Sequence, residues 1–462
     1  MWRLSWVARV WAVWVLTRVV MVVFTGVTAL PHSVWDASAA DLGLYHQWAD
    51  LLVNRQVFPS TDERWQYPPG AGGLIALPWL LGDGHAYSWW FFALVAAADA
   101  GALVLLLRAA ARDRSIAART GPWVWVLGVA LLGRVCYGRF DLIVAALAVA
   151  ALVWAARRPI ATGVVVATGV LLKLWPAVVL LGLRGRSLWV TSAAAVLAGA
   201  VASAAVTALA PGGWSFLRFQ SERGVQIESL AATPLLIARL FGADYTIAHR
   251  YGAEEVLGPG VAALAGACVV ATVLLGAGLV FLWWRIRPAA PDLVLVAVLV
   301  ALATSRVLSP QYVVWAVAVA AVCALDPRSA QRPLLPVILL VAFASQVEFP
   351  FVYDRVATGS LPGVLVLTVR NALLLGATAW SVLLLWRGRS NSAVPNTDHH
   401  DDESSPGASP RIPALFAKRS SARGHTSADH RDREPVRDAG PGTPARAGRL
   451  PALAEPTARP AR

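Results

Sequence analysis

The chain has 462 residues, of which 57% are hydrophobic and only 15% are charged. Soluble domains carry roughly a quarter charged residues, so this composition excludes a soluble globular protein. Lys and Arg outnumber Asp and Glu by 40 to 27, which gives a formal net charge of +13. Most basic residues cluster at the ends of apolar runs, as they do in the cytoplasmic loops of membrane proteins. The basic charge therefore indicates orientation in a membrane and not binding to nucleic acid.

Apolar runs near the roughly 20 residues that cross a bilayer as a helix recur between residues 7 and 387, the first over 7–30. The Arg bias places the N- and C-termini in the cytoplasm and three polar loops outside, at 31–69, 211–260 and 345–361. The sequence thus predicts an all-α polytopic protein of the cell membrane. We expect a bundle of about 10–12 transmembrane helices, with amphipathic helices in the first external loop.

Two regions are too short for a full crossing. Residues 70–82 form about half a span, and residues 161–183, with basic flanks, predict a hairpin of two short helices broken at 173–176. Lys173 lies inside this apolar stretch, where an ammonium group is expensive. It is therefore either a functional group or a side chain that reaches the cytoplasmic edge. The chain shows no internal repeat, which disfavours a transporter built from inverted halves.

The character of the chain changes after residue 387. Residues 388–462 are rich in Ser, Pro, Arg, Asp and Ala and contain few large apolar side chains. Such a segment cannot bury enough surface to offset the entropy of ordering. The sequence predicts two parts, a transmembrane bundle over 1–387 and a disordered cytoplasmic tail over 388–462.

Polar residues concentrate in the external loops and at the mouths of helices. Asp41, Tyr45, Trp48 and Leu52 recur at helical spacing, which predicts an amphipathic helix at the outer surface. The same pattern fits an interfacial anchor, because Trp and Tyr favour that depth. The spacing alone leaves both interpretations open.

Charged groups at the other helix mouths are also candidates for binding. The pair Arg139 and Asp141 marks the start of a helix, either as a snorkelling ion pair or as part of a site. Arg223 and Arg306, in the loops at 211–260 and before Tyr312, are natural partners for a phosphate group. Each of these signals is weak alone, and their convergence on one side of the membrane is the stronger observation.

Several short motifs occur in a fixed order along the chain: Asp41 and Tyr45, YPP at 67–69, GRFD at 138–141, KLWP at 173–176, RGVQIES at 223–229 and SPQYVVW at 309–315. In this order they resemble the integral membrane glycosyltransferases of family 87, a GT-C type family, over about residues 7–387. The resemblance implies that the protein transfers a sugar from a polyprenyl-phosphate donor to an envelope glycolipid or lipoglycan of actinobacteria. The sugar is expected to be mannose or else arabinofuranose, and the reaction is expected outside the cytoplasm.

The resemblance also implies roles for particular residues. It makes Asp41 the general base of an inverting displacement, and Arg306, Arg223 and Arg139 the contacts of the donor phosphate. The expected sugar and acceptor contacts are Tyr45, Trp48, Tyr67, Asp141, Gln226, Glu228, Gln311 and Tyr312.

No cofactor is expected, because the lipid-linked sugar phosphate is itself a substrate. No metal is expected either, because the external loops carry no His and carboxylate cluster with clear metal spacing. Besides its two substrates, the expected partners are membrane lipids. The alternative class is a polytopic transporter or lipid flippase, which would carry charged residues at mid-membrane and pseudo-symmetric broken helices.

Overall fold

In a computed structural model of the protein, the structure describes residues 5–23, 32–113 and 115–392. Residues 24–30 of the predicted first helix lie outside this part of the chain, and so does the predicted tail, which begins at 388, from residue 393 onward. The described residues contain the following α-helices: α1 (Trp6–Val23), α2 (His32–Val53), α3 (Gly70–Leu81), α4 (His85–Asp113), α5 (Thr120–Leu132), α6 (Asp141–Trp154), α7 (Pro159–Leu172), α8 (Gly185–Leu209), α9 (Phe216–Glu222), α10 (Ala232–Leu240), α11 (Val261–Ile286), α12 (Ala290–Thr304), α13 (Val313–Cys323), α14 (Leu335–Gln346), α15 (Tyr353–Ala357) and α16 (Leu361–Ser392).

The prediction of an all-α polytopic membrane protein is confirmed. Five helical segments are long and apolar enough to cross a bilayer: His85–Asp113, Gly185–Leu209, Val261–Ile286, Arg332–Phe351 and Leu361–Arg387. Five further apolar helices are shorter: Gly70–Leu81, Asp141–Trp154, Pro159–Leu172, Ala290–Thr304 and Pro310–Cys323. The chain is therefore membrane-embedded, and many of its helices are shorter than a full span.

The two half-span regions have the form that the sequence predicts. Helix α3 ends at Leu81 before Gly82. Helix α7 ends at Leu172, and a 3₁₀-helix, Trp175–Gly182, follows it after a two-residue break. The break falls at Lys173, because a proline at position 176 cannot supply the N–H that would continue α7.

A small sheet departs from the sequence prediction. Strands β1 (Val225–Gln226), β2 (Thr246–Arg250) and β3 (Ala253–Leu257) form an antiparallel sheet in the order β1-β3-β2, where the sequence predicts only a polar loop. Tyr251 and Gly252, with φ of 52° and 74°, join β2 to β3, and two residues at positive φ are typical of a tight hairpin turn. Strands of two to five residues are too short to show a clear alternation of apolar and polar residues.

A buried ion pair joins the first helix to the rest of the bundle. Arg18 in α1 donates from Nε to Asp99 in α4 at 2.8 Å. Asp99 also accepts hydrogen bonds from the Trp125 indole at 2.7 Å and from the Tyr137 hydroxyl at 2.6 Å. Four segments thus meet at one carboxylate. Charges in a membrane interior are tolerated when they are paired in this way.

Replacing Arg18→Gln tests this pair. The change leaves Asp99 buried without its counter-charge, and breaking one side of a buried ion pair lowers stability by about 3–5 kcal/mol. We expect a lower midpoint of thermal unfolding in detergent than for the wild type. Arg9→Gln, at an exposed position of the same helix, is the matched control and should leave the midpoint unchanged. Equal midpoints for the two variants would contradict the importance of the pair.

Candidate active site

A cavity of about 440 Å³ lies among segments from across the chain. Its wall is formed by α2, the turn before α3, the turn before α6, the break after α7 at 173–175, α9 and the strand that follows it, the tip of the β-hairpin, the segment at 305–315, and residues 349 and 353. Nine of the twelve predicted site residues line it: Asp41, Trp48, Tyr67, Arg139, Arg223, Gln226, Glu228, Gln311 and Tyr312. The other three, Tyr45, Asp141 and Arg306, are not part of the wall within the described residues.

Asp41 and Arg139 form an ion pair at the cavity wall. Helix α2 presents Asp41, whose side chain is 28% exposed, and Arg139 comes from the turn before α6. The Arg139 guanidinium also donates to the side-chain oxygen of Gln311 and lies 5.5 Å from the Phe349 ring centroid. Since these contacts fix the guanidinium on several sides, the Asp41 carboxylate has a defined position while it still reaches the cavity.

A second ion pair joins Lys173 to Asp141. The Lys173 ammonium donates to Asp141 Oδ1 at 2.7 Å, and the same oxygen accepts the Trp315 indole N–H at 3.0 Å. Asp141 is buried in the first turn of α6, where a negative charge is favourable. Asp141 therefore fixes the position of the Lys173 ammonium group. Lys173 lines the cavity, and Asp141 does not.

Arg223 forms the third pair and Arg306 has a different role. Arg223 Nε lies 3.5 Å from Glu255 on β3, and its Nη2 atom is buried without a hydrogen-bond partner. Arg306 instead donates from Nη2 to the Gln220 carbonyl at 2.5 Å, and its own carbonyl accepts the Gln226 N–H at 2.9 Å. Arg306 thus connects the segment at 220–226 to the segment after α12, and it is not among the residues that line the cavity.

Gln226 and Glu228 lie together beside these groups. Their side chains are hydrogen-bonded to each other, and Gln226 Nε2 also donates to the Ser309 hydroxyl at 3.3 Å. Burial and the nearby Glu348 carboxylate raise the pKa of Glu228 to about 8. Glu228 is therefore mostly protonated at neutral pH and can donate a hydrogen bond to a hydroxyl group.

Aromatic rings form or adjoin two further parts of the wall. Tyr45 is buried, and its hydroxyl oxygen lies 3.2 Å from that of Tyr67. Burial raises the pKa of Tyr67 to about 12, so its phenol stays protonated at neutral pH. On another side, Tyr312 stacks on Trp315 at 4.4 Å between centroids and Trp315 stacks on Trp175 at 5.2 Å. Flat rings of this kind suit the apolar faces of a sugar or a lipid chain.

Several wall residues carry buried polar atoms that have no hydrogen-bond partner in the described part of the chain: Gln66 Oε1, Trp175 Nε1, Arg223 Nη2 and Gln226 Oε1. Buried polar groups are nearly always satisfied, and exceptions call for a functional explanation. Donors and acceptors left open around one cavity indicate a polar ligand that would satisfy them.

Sequence reasoning leaves Lys173 between two roles and does not single out Arg64, Gln66, Trp175 or Trp315, all of which line the cavity. Trp175 and Trp315 lie inside the KLWP and SPQYVVW motifs, so the motifs were a usable signal for them. Arg64 and Gln66 precede the YPP motif without a pattern of their own. Only the fold brings them to the wall.

The fold and the cavity define a membrane-embedded helical protein whose site suits a ligand with an anionic group, hydroxyl groups and apolar surface. A sequence profile described as glycosyltransferase family 87 matches residues 65–310, more than half of the chain. The chain therefore belongs to this family, and it is a membrane glycosyltransferase with a sugar donor and an acceptor as substrates. No curated protein and no solved structure matches the chain.

The matched segment does not contain every candidate residue. Asp41, Tyr45 and Trp48 precede it, and Gln311 and Tyr312 follow it. Over the described residues, no group of three or more His, Cys, Asp or Glu side chains is arranged to hold a metal ion. Metal independence and the individual roles remain predictions.

Replacing Glu228→Gln should change how stability depends on pH. The carboxyl titrates near 4.5 in an unfolded chain and near 8 in the folded protein, so the folded state binds this proton more tightly. The wild type therefore loses stability as the pH rises from about 4.5 to about 8. Glutamine has no proton to lose, and we expect a smaller fall in the midpoint of thermal unfolding over this interval.

The matched control is Glu222→Gln, at an exposed position in α9, and it should keep the wild-type slope. Parallel curves of midpoint against pH for wild type and Glu228→Gln would contradict the raised pKa.

Proposed function

We propose that the protein transfers a sugar, mannose or else arabinofuranose, from a polyprenyl-phosphate donor to a hydroxyl group of an envelope glycolipid or lipoglycan. The reaction takes place at the outer face of the cell membrane, and Asp41 is the general base. The observation that carries the proposal is the cavity itself, where the partly exposed carboxylate of Asp41 lies among cations, aromatic rings and unpaired polar atoms. The family supplies the reaction class.

The proposed chemistry is a single displacement. Asp41 accepts the proton of the acceptor hydroxyl as its oxygen forms a bond to the anomeric carbon. The bond from that carbon to the phosphate oxygen breaks, and polyprenyl phosphate leaves with the electron pair. One displacement inverts the anomeric carbon. A carboxylate suffices as the base because the hydroxyl becomes acidic only as the new bond forms, so geometry matters more than resting pKa.

The other wall residues support binding of the two substrates. Gln226 and Glu228 offer an open acceptor and a protonated carboxyl for sugar hydroxyls. Tyr312 and Trp48 offer ring surface. The cations at the wall stabilise the negative charge that develops on the leaving phosphate.

The direction of the helices supports an outward-facing site. Helix α6 begins at Asp141, beside the cavity, and Arg157 and Arg158 follow its other end. Arg-rich turns stay in the cytoplasm, so the cavity end of the bundle faces the opposite side, where a lipid-linked sugar of the outer leaflet is available.

Replacing Asp41→Asn tests the proposal. The amide keeps the size of the side chain and cannot accept the proton, so sugar transfer should fall by about 10²–10⁴-fold. The assay uses the purified full-length protein in lipid vesicles, a polyprenyl-phosphate sugar with a radioactive sugar, and an acceptor glycolipid extract.

Asp50→Asn is the matched control, because Asp50 lies on the same helix, bonds to Asn54 and is outside the cavity wall. It should transfer sugar at the wild-type rate. Undiminished transfer by Asp41→Asn would exclude Asp41 as the base. Lack of transfer by the wild type from every polyprenyl-phosphate sugar would exclude the donor class.

A further inference from the structure

We propose that Lys173 binds the phosphate of the lipid-linked donor, and that Asp141 and the surrounding rings hold its ammonium group for this purpose. The inference rests on the proposed function and deepens it, because it assigns the donor's anion to a residue other than Arg306.

The position of Lys173 follows from the helical hairpin formed by α7 and the 3₁₀-helix Trp175–Gly182, whose apex is the break at 173–174. Helix α7 and the 3₁₀-helix Trp175–Gly182 run between two basic ends, at Arg158 and Arg184, and Lys173 lies in the break between them. The start of α3 packs closely against this apex, since a Cβ atom on Gly70 would lie 2.7 Å from the Leu171 carbonyl oxygen. The apex therefore has a fixed place in the cavity wall.

The ammonium group has donors to spare. Lys173 is only 8% exposed, and its one hydrogen bond within the described residues goes to Asp141. An ammonium group has three N–H donors. Its other neighbours are ring faces, with Tyr312 at 4.3 Å and Tyr67, Phe140 and Trp315 each at 5.5 Å from the ring centroid. Rings stabilise the cation but leave its remaining N–H groups free for an anion.

The other cations near the cavity are less available. Arg139 is occupied by Asp41 and Gln311, and Arg64 is occupied by Asp62. Arg306 donates to backbone carbonyls and is not part of the wall. Arg223 has one open donor, and we assign it a supporting contact. Lys173 is the wall cation that combines free donors with a neighbouring apolar surface.

That apolar surface is exposed and continues along neighbouring helices. Leu174 lines the cavity and is 56% exposed. The 3₁₀-helix that follows contacts α8 and α11, and both helices expose large apolar side chains, such as Val196 and Val273. A polyprenyl chain lying against these faces would bring its phosphate to the apex beside Lys173.

The test compares binding of polyprenyl monophosphate with binding of the uncharged polyprenol of the same length, using the full-length protein in detergent. Losing a hydrogen bond between charged groups weakens binding by about ten-fold to a hundred-fold, so Lys173→Met should lose that much affinity for the phosphate lipid. Its affinity for polyprenol should stay within about two-fold of the wild type, a difference near 0.4 kcal/mol.

The matched control is Arg18→Gln, which breaks a buried ion pair outside the cavity. It should lower stability and keep the wild-type preference for the phosphate lipid. An equal loss of affinity for both lipids in Lys173→Met would mean that Lys173 has only a structural role, and this would overturn the inference.

A second measurement needs no cavity variant. Lys173 and Lys418 are the two lysines of the sequence, so protein labelled with ¹³Cε-lysine gives two resonances, which Lys418→Arg assigns. Polyprenyl monophosphate should shift the Lys173 resonance and leave that of Lys418 in place, and polyprenol should shift neither. A Lys173 resonance that does not respond to the phosphate lipid would also overturn the inference.

The two proposals fail in different ways. If the wild type transfers no sugar and binds both lipids alike, the donor class is wrong. If the wild type prefers the phosphate lipid and Lys173→Met keeps that preference, the proposed function stands and only the assignment of Lys173 fails.

Discussion

Two ion pairs that meet at the turn before α6 hold the candidate site together. Arg139 and Asp141 are separated by one residue, and they pair with Asp41 of α2 and with Lys173 of the hairpin apex. Charges in a membrane protein are costly unless they have partners, so neither pair can separate freely. One short turn thereby fixes the positions of the candidate base and of the candidate phosphate ligand relative to each other.

Short helices make this arrangement possible. A helix that crosses the whole bilayer has its ends near the two surfaces, whereas α7 ends after fourteen residues and can place a polar group well inside the bundle. The same holds for α6, which begins at Asp141 with its first turn already buried. Interrupted helices thus place polar groups inside the bundle, at positions that continuous helices would fill with apolar side chains.

Much of the helical fold follows from the sequence because apolar runs and Arg-rich turns report directly on helix ends. The break at Lys173 follows from its proline in the same way. The partners of the charges do not follow, since Lys173 and Asp141 are 32 residues apart and no local pattern joins them. The contacts of Arg306 do not follow from the sequence either. Tertiary contacts alone decide whether such a long side chain turns toward a cavity or toward backbone carbonyls.

The pairing of the wall cations bears on the proposed reaction. Arg64, Arg139, Lys173 and Arg223 each lie against a carboxylate, so the charges of the site nearly cancel and the site binds an anion less tightly than four free cations would. As the sugar–phosphate bond breaks, the phosphate gains charge, and a cation such as Lys173 can interact with it more strongly than with Asp141. Interactions that strengthen in the transition state accelerate the chemical step. In the proposed reaction, the carboxylates regain their cations when polyprenyl phosphate leaves, so the ion pairs that stabilise the fold would also favour release of the product.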